Sequence, residues 1–192
     1  MNIARILYPV QVLGPGNRIG IWMSGCTRGC KGCSNPELWN QRPEYEITIE
    51  QVSSLIETVS GRHVVDGFTI SGGEPMDQSE ELALLVRVIK NTSTDILLYS
   101  GYLIEELRAR EDVCTNYILN NIAVLIDGPY IEELNDGTML RGSANQRFHI
   151  IDEKLKNRYQ QYLSGAHNQI QNFTTADGVV SVGIHHRGWK TV

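Results

Sequence analysis

Short apolar segments recur along the chain at intervals typical of buried strands. They lie at residues 19–24, 68–70, 96–99 and 122–126. Each is bounded by glycine, serine or charged residues, and each predicts one strand. The last segment is apolar throughout, so we expect both faces of its strand to be buried.

Segments with helical spacing of apolar residues separate these strands. Such spacing covers residues 49–59, 79–90 and 104–110, and Thr48 with Gln51 forms a capping box ahead of the first helix. Strands that alternate with helices of this length form βαβ units in a parallel sheet. Right-handed crossovers curl such a sheet toward a barrel or a doubly wound layer, so the sequence predicts an α/β fold.

The C-terminal part has a different pattern. A helix over residues 153–163 and a strand over residues 179–184 are predicted there. The polar stretch between them, residues 164–178, is rich in Asn, Gln, Thr and Gly and has no predicted element.

Composition limits the functions that this chain can have. With 192 residues, of which 41% are hydrophobic, it can build one domain, or one domain with a small appendage. A net charge of -5 without any basic block argues against a nucleic-acid binder. The sequence has neither a membrane-spanning apolar run nor a signal peptide, so we expect a cytoplasmic protein with no membrane partner.

Three of the four cysteines lie close together directly after the first predicted strand. They are Cys26, Cys30 and Cys33. Three thiolates on one loop can bind three corners of a cubane iron–sulfur cluster, which leaves one iron without a protein ligand. Such crowded cysteines in a reducing compartment argue against disulfides. We expect the fourth, Cys114, to be a buried small hydrophobic residue.

Other metal sites are less consistent with this spacing. A structural zinc site usually takes four ligands from two separated pairs, and here there is one triad. Its fourth ligand would be His149, one of the pair His185-His186, or the distant Cys114. An electron-transfer ferredoxin would need a fourth cysteine as ligand, and Cys114 is a poor candidate.

The ends of the later predicted strands carry glycines and polar residues. The second strand ends in Gly72-Gly73-Glu74-Pro75, the third at Ser100 and the fourth at Asp127. Parallel α/β sheets bind ligands at the carboxyl ends of their strands. Adjacent glycines let a ligand approach the backbone and receive hydrogen bonds from its amides, although glycines after strands are also common in turns.

These motifs resemble those of the radical S-adenosylmethionine (SAM) enzymes. The spacing of Cys26, Cys30 and Cys33 matches their cysteine signature, and the segment at residues 72–75 matches their Gly-Gly-Glu-Pro motif. Within that superfamily the chain is most similar to the activating proteins of anaerobic ribonucleotide reductase, over residues 6–150. Further segments that carry this similarity lie at residues 14–18, 23–26, 99–102, 124–128 and 141–146, with Asn35 and Trp39.

The resemblance implies a partial, open parallel βα barrel over residues 1–150, with residues 151–192 packed on it as a C-terminal extension. Two features depart from the pattern. Gly32 stands where many radical SAM enzymes have an aromatic residue, although the reductase activators also accept glycine there. The chain also continues from Ile151 to Val192, beyond the usual end of those activators.

The resemblance also implies the cofactors. Cys26, Cys30 and Cys33 would bind a 4Fe–4S cluster, and SAM would bind its open iron and be cleaved to methionine and a 5′-deoxyadenosyl radical. The backbone of Gly72 and Gly73 would hold the SAM amino group. Glu74 would assist there or fix the loop. No other catalytic residue is implied.

Two strand-end residues complete the candidate SAM site. Ser100 and Asp127 would contact the SAM carboxylate, the ribose or a bound cation, or would only cap their strands. A Gly73→Val substitution is then expected to weaken SAM binding and to leave the cluster in place.

Two enzyme functions and one binding function follow. The first is activation of a glycyl-radical enzyme, with a reduced flavodoxin-like protein as electron donor. The second is a stand-alone radical SAM enzyme that modifies a peptide or a small molecule. The third is an iron–sulfur binding module without activity.

Overall fold

A six-stranded sheet forms the centre of the protein. The computed structural model describes residues 1–165, 170–176 and 178–185. The four inner strands are parallel, and the strands at both edges are antiparallel to their neighbours. In spatial order they are β1 (Ile3–Val10), β2 (Arg18–Met23), β3 (Gly67–Gly72), β4 (Ile96–Ser100), β5 (Val124–Asp127) and β6 (Arg147–Ile150). The predicted α/β class with a mostly parallel sheet is therefore confirmed.

Five helices cover the two faces of this sheet. They are α1 (Ile49–Ser60), α2 (Ser79–Ile89), α3 (Ile104–Arg108), α4 (Val113–Leu119) and α5 (Lys156–Ser164). The first four pack their apolar residues on one face, where Ile21, Ile70 and Leu98 point. Helix α5 contributes Tyr159 to a second apolar cluster with Leu97 and Ile126 on the opposite face. Side chains alternate along each strand, so every inner strand is buried on both sides.

Several predicted elements have different boundaries in the structure. The capping box at Thr48 is present, with hydrogen bonds in both directions between Thr48 and Gln51. The helix predicted to reach residue 110 ends at Arg108. Glu111 then adopts a φ of 51°, which is incompatible with a right-handed helix. A separate helix, α4, follows.

The C-terminal part contains a strand that the sequence pattern did not predict. Strands β7 (Gln171–Thr175) and β8 (Gly178–Val182) form an antiparallel hairpin. Strand β7 lies in the polar stretch for which no element was predicted. Its pattern is weak because Phe173 is the only large apolar residue within the strand. Strand β8 ends at Val182, two residues earlier than predicted.

A buried ionic network joins α5 to the amino end of the sheet. Arg18 is completely buried and donates to Thr69 Oγ1 at 2.7 Å and to Asp95 Oδ1 at 3.2 Å. The Tyr159 hydroxyl donates to the same Asp95 oxygen. Buried charges need such partners, so the network fixes α5 at the end of the sheet opposite to the strands' carboxyl ends.

No helix within the described residues is long and apolar enough to span a membrane.

Candidate functional site

A cavity of about 190 Å³ opens at the carboxyl ends of the parallel strands. All but one of the residues predicted for the site line it. These are Cys26, Cys30, Cys33, Gly72, Gly73, Glu74 and Ser100; the exception is Asp127. The fold therefore brings the three thiols and the glycine loop together at one place.

The cysteine loop is held at its base by backbone hydrogen bonds. The amide of Cys26 donates to the carbonyl of Trp39, and the amide of Gly25 donates to the carbonyl of Leu38, both at 2.8 Å. The amide of Glu74 donates to the carbonyl of Gly25 at 2.8 Å. The loop is thus joined both to the segment that follows it and to the end of β3.

Backbone N–H groups point at two of the thiols. The amide of Arg28 donates to Cys26 Sγ and that of Asn35 to Cys33 Sγ, each at 3.4 Å. Trp39 lines the same cavity as Cys33. Burial raises the pKa of both thiols above the ordinary value, so a metal must displace their protons. Hydrogen bonds to sulfur are one way in which proteins tune iron–sulfur clusters.

The three thiols fit a multi-iron cluster better than a single ion. Within the described residues no three His, Cys, Asp or Glu side chains are close enough together to hold one metal ion. A cubane needs no such convergence, because each thiolate binds a different iron. Of the alternative zinc ligands, Cys114 lies in α4 and is partly buried against the core, and His149 lies against Asp127. His185 lines the cavity, and His186 lies outside the described residues.

The two glycines bring the ends of β2 and β3 into direct contact. A Cβ atom on Gly73 would lie 2.2 Å from the carbonyl oxygen of Gly25, and one on Gly72 would lie 2.2 Å from that of Met23. The amide of Gly73 donates to the carbonyl of Met23 at 2.7 Å, so this amide already has a partner within the protein. Only glycine permits this approach of the two backbones.

Glu74 links several parts of the cavity wall through its carboxylate. Its buried carboxylate accepts from the Ser100 hydroxyl at 2.9 Å and from the amides of Met76 and Gly101 at 3.0 and 2.6 Å. Burial raises its pKa to about 7, against the opposing effect of these hydrogen bonds. Ser100 in turn accepts from the amide of Tyr102. Both side chains therefore hold the loops after β3 and β4 together.

Asp127 is buried beside the cavity and does not line it. Its carboxylate accepts hydrogen bonds from Arg147 and from the amide of Ile104, and His149 Nε2 lies 3.1 Å away. Burial alone would raise its pKa, but these donors outweigh burial and lower it. In this arrangement Asp127 caps the end of β5 and anchors α3 and β6.

A clamp on the cysteine loop was missing from the sequence analysis. Asp77 accepts from the amide and the hydroxyl of Thr27, at 3.0 and 2.8 Å, and from the Tyr102 hydroxyl at 2.7 Å. The guanidinium groups of Arg28 and Arg110 lie over the Tyr102 ring at 4.6 and 4.2 Å from its centroid. The polar residues Thr27 and Arg28 between the cysteines were the available sequence signal for such contacts. Their partners, Asp77 and Tyr102, are distant in sequence and could not be identified from local spacing.

Local sterics explain why position 32 is a glycine and not an aromatic residue. Its φ is +71°, and a Cβ atom there would lie 2.8 Å from the Glu132 side chain. An aromatic side chain at this position would require the segment around Glu132 to move.

Comparison with known proteins gives the family. The 4Fe-4S single cluster domain family matches residues 12–149. The anaerobic ribonucleoside-triphosphate reductase-activating protein of Vibrio cholerae is 35% identical over 150 residues, which cover 74% of this chain and 94% of that protein. Its counterpart in Enterobacteria phage T4 is 36% identical over 152 residues, which cover 77% of this chain and 92% of that protein. The chain belongs to the anaerobic ribonucleoside-triphosphate reductase-activating protein family.

Membership of this activating-protein family confirms the resemblance that the motifs predict. Among solved structures, QueE from Escherichia coli superposes with a TM-score of 0.49 at 16% identity, covering 88% of this chain and 78% of that one. The match to the 4Fe-4S domain ends at residue 149, before α5 and the β7–β8 hairpin.

Proposed function

We propose that this protein is a radical SAM enzyme that generates a glycyl radical on a partner, the anaerobic ribonucleotide reductase. One observation carries the proposal: the three thiols and the Gly-Gly-Glu loop line the same cavity. Membership of the activating-protein family supports it. A cluster held by Cys26, Cys30 and Cys33 would, when reduced, supply one electron for cleavage of the C5′–S bond of SAM, which would allow a hydrogen atom to be taken from a glycine Cα.

The protein's own residues bind and orient the two cofactors. Cys26, Cys30 and Cys33 hold the cluster as thiolates, with N–H groups of the loop directed at their sulfur atoms. The backbone around Gly72 and Gly73 borders the space for the methionine end of SAM. The loop joined by Glu74 and Ser100 keeps that backbone in position.

The proposal extends to the architecture and the partners. Residues 1–150 form the catalytic core, an open βα barrel, and residues 151–192 form an extension packed on it. The buried contacts of Tyr159 in α5 support this division. A reduced flavodoxin-like protein is the proposed electron donor.

Anaerobic reconstitution followed by two measurements tests the proposal. The reduced, cluster-loaded protein is incubated with SAM, with and without the anaerobic ribonucleotide reductase of the same source. We expect 5′-deoxyadenosine by chromatography and a protein-based glycyl radical by electron paramagnetic resonance. Release of 5′-deoxyadenosine only with a peptide or small molecule, and no glycyl radical, would identify a stand-alone enzyme instead. A loaded protein that cleaves no SAM would be a binding module.

A further inference from the structure

The segment at the end of β8 forms one wall of the cysteine cavity. Five consecutive residues, 181–185, line the same space as the three thiols. Successive side chains of an extended segment point to opposite sides. A cavity bordered by five in a row is therefore bordered by their backbone as well as by their side chains.

The hairpin is fastened on both sides of the cavity mouth. Val182 is 3% exposed and packs with Val10, Leu13 and Trp22 on the side of β1. Gln171 donates to the carbonyl of Pro9 at 2.7 Å and accepts from the amide of Gln11 at 3.0 Å.

On the other side, the segment after β5 holds the end of this wall. The Asn135 side chain donates to the carbonyl of His185 at 2.9 Å. The hairpin is thus attached both to β1 and to the loop beyond β5, and its end borders the cavity that contains the thiols.

The wall lies outside the part of the chain that the 4Fe-4S domain family matches. The match to the 4Fe-4S domain covers residues 12–149, and all the residues that we assign to the cluster and to SAM lie within it. The hairpin thus supplies none of the residues that we assign to the two cofactors. Because the hairpin nevertheless borders the cavity, the remaining reactant that it can contact is the molecule that gives up a hydrogen atom.

We propose that the β7–β8 hairpin is a specificity element that binds the polypeptide segment whose C–H bond is broken. This proposal rests on the proposed function. The wall from Ser181 to Ile184 carries no charge, and it offers peptide groups and the side chain of Ile184. Among the described strands β8 pairs only with β7, and such a strand can receive an extended segment through backbone hydrogen bonds.

Two substitutions test the hairpin in the full-length, cluster-loaded protein. Gln171→Ala removes the contacts to β1 from a position outside the cavity, and Ile184→Ser changes the wall itself. The matched control is Thr174→Ala, because Thr174 is exposed on the same hairpin. Each variant is assayed for 5′-deoxyadenosine formed without reductase and for glycyl radical formed as the reductase concentration is varied.

For Gln171→Ala we expect a KM for the reductase raised by about tenfold, a kcat changed less than KM, and unchanged SAM cleavage without reductase. Ile184→Ser should lower the number of glycyl radicals formed per SAM cleaved by a similar factor. Thr174→Ala should behave as the wild type. If both test variants kept the wild-type KM for the reductase and the wild-type number of glycyl radicals per SAM cleaved, the hairpin proposal would be overturned. The activase function would remain intact.

A binding measurement on the metal-free protein separates the two proposals. Calorimetry with the reductase should show weaker binding for Gln171→Ala than for Thr174→Ala, whether or not any radical forms. Equal affinities would overturn the hairpin's role. A wild type that binds the reductase but forms no glycyl radical would overturn only the activase function.

Discussion

Glu74 has an acidic side chain whose ionisation opposes folding. Its pKa is raised to about 7 by burial, above the ordinary value of 4.5. The folded state therefore binds this proton more tightly than the unfolded state between those two pH values. Stability must fall as the pH rises across that window, on the order of 3 kcal/mol.

Glu74→Gln tests this pH dependence. The variant should be less stable at low pH, because an amide cannot accept all the hydrogen bonds of the carboxyl group, but its stability should change less between pH 5 and pH 8. Urea unfolding of the metal-free, reduced protein over that range measures both effects. The same slope in wild type and variant would show that another group titrates.

Cys30 and Cys114 make a matched pair of cysteines. Cys30 lines the cavity, whereas Cys114 lies in α4 and packs against the core. Cys30→Ala should abolish iron binding after reconstitution, and Cys114→Ala should retain it. Iron content and visible absorbance report the result. A full iron complement in Cys30→Ala would disprove the cluster assignment.

At the scale of elements, Asp77 connects the cysteine loop to the ends of β3 and β4. Asp77→Ala should leave Thr27 and Tyr102 without their shared acceptor and lower the unfolding free energy by about 1 kcal/mol. The loaded variant should also lose iron faster to a chelator. Glu80→Ala, an exposed acid on the neighbouring helix α2, is the control. Equal iron-loss rates in the two variants would argue against the clamp.

The contact between the loop after β3 and the cysteine loop changes the expected effect of Gly73→Val. The sequence alone predicts weaker SAM binding with the cluster retained. In the structure the new side chain meets the carbonyl of Gly25, next to Cys26, and the cysteine loop must move. We therefore expect reduced iron content together with lost SAM binding. Full iron content in the variant would show that the loop adapts.

At the scale of the whole molecule, the buried network at the amino end of the sheet attaches the C-terminal part. Tyr159→Phe removes one donor from Asp95 and should lower stability by about 1–3 kcal/mol. Tyr8→Phe, which loses an exposed hydrogen bond, should have a smaller effect. Thermal unfolding compares them. Equal losses would mean that the network does not stabilise the attachment of α5.

Much of the fold was predictable because its inner strands are apolar and its helices amphipathic. The edge strands β1 and β6 were missed, since half-buried strands such as Arg147–Ile150 lack a continuous apolar run. The cysteine triad and the strand-end glycines located the site. The partners of Asp127 and Glu74 depend on residues distant in sequence, which local spacing does not specify.

Two of the three tryptophans, Trp22 and Trp39, line the cysteine cavity. Iron–sulfur clusters absorb broadly in the near ultraviolet, where indole emits, so energy transfer to a cluster beside these rings quenches their fluorescence. The emission of Trp39, which lines the cavity together with Cys33, should therefore fall as iron and sulfide are incorporated. The protein thus carries its own optical reporter, with which cluster assembly and loss can be timed without any added label.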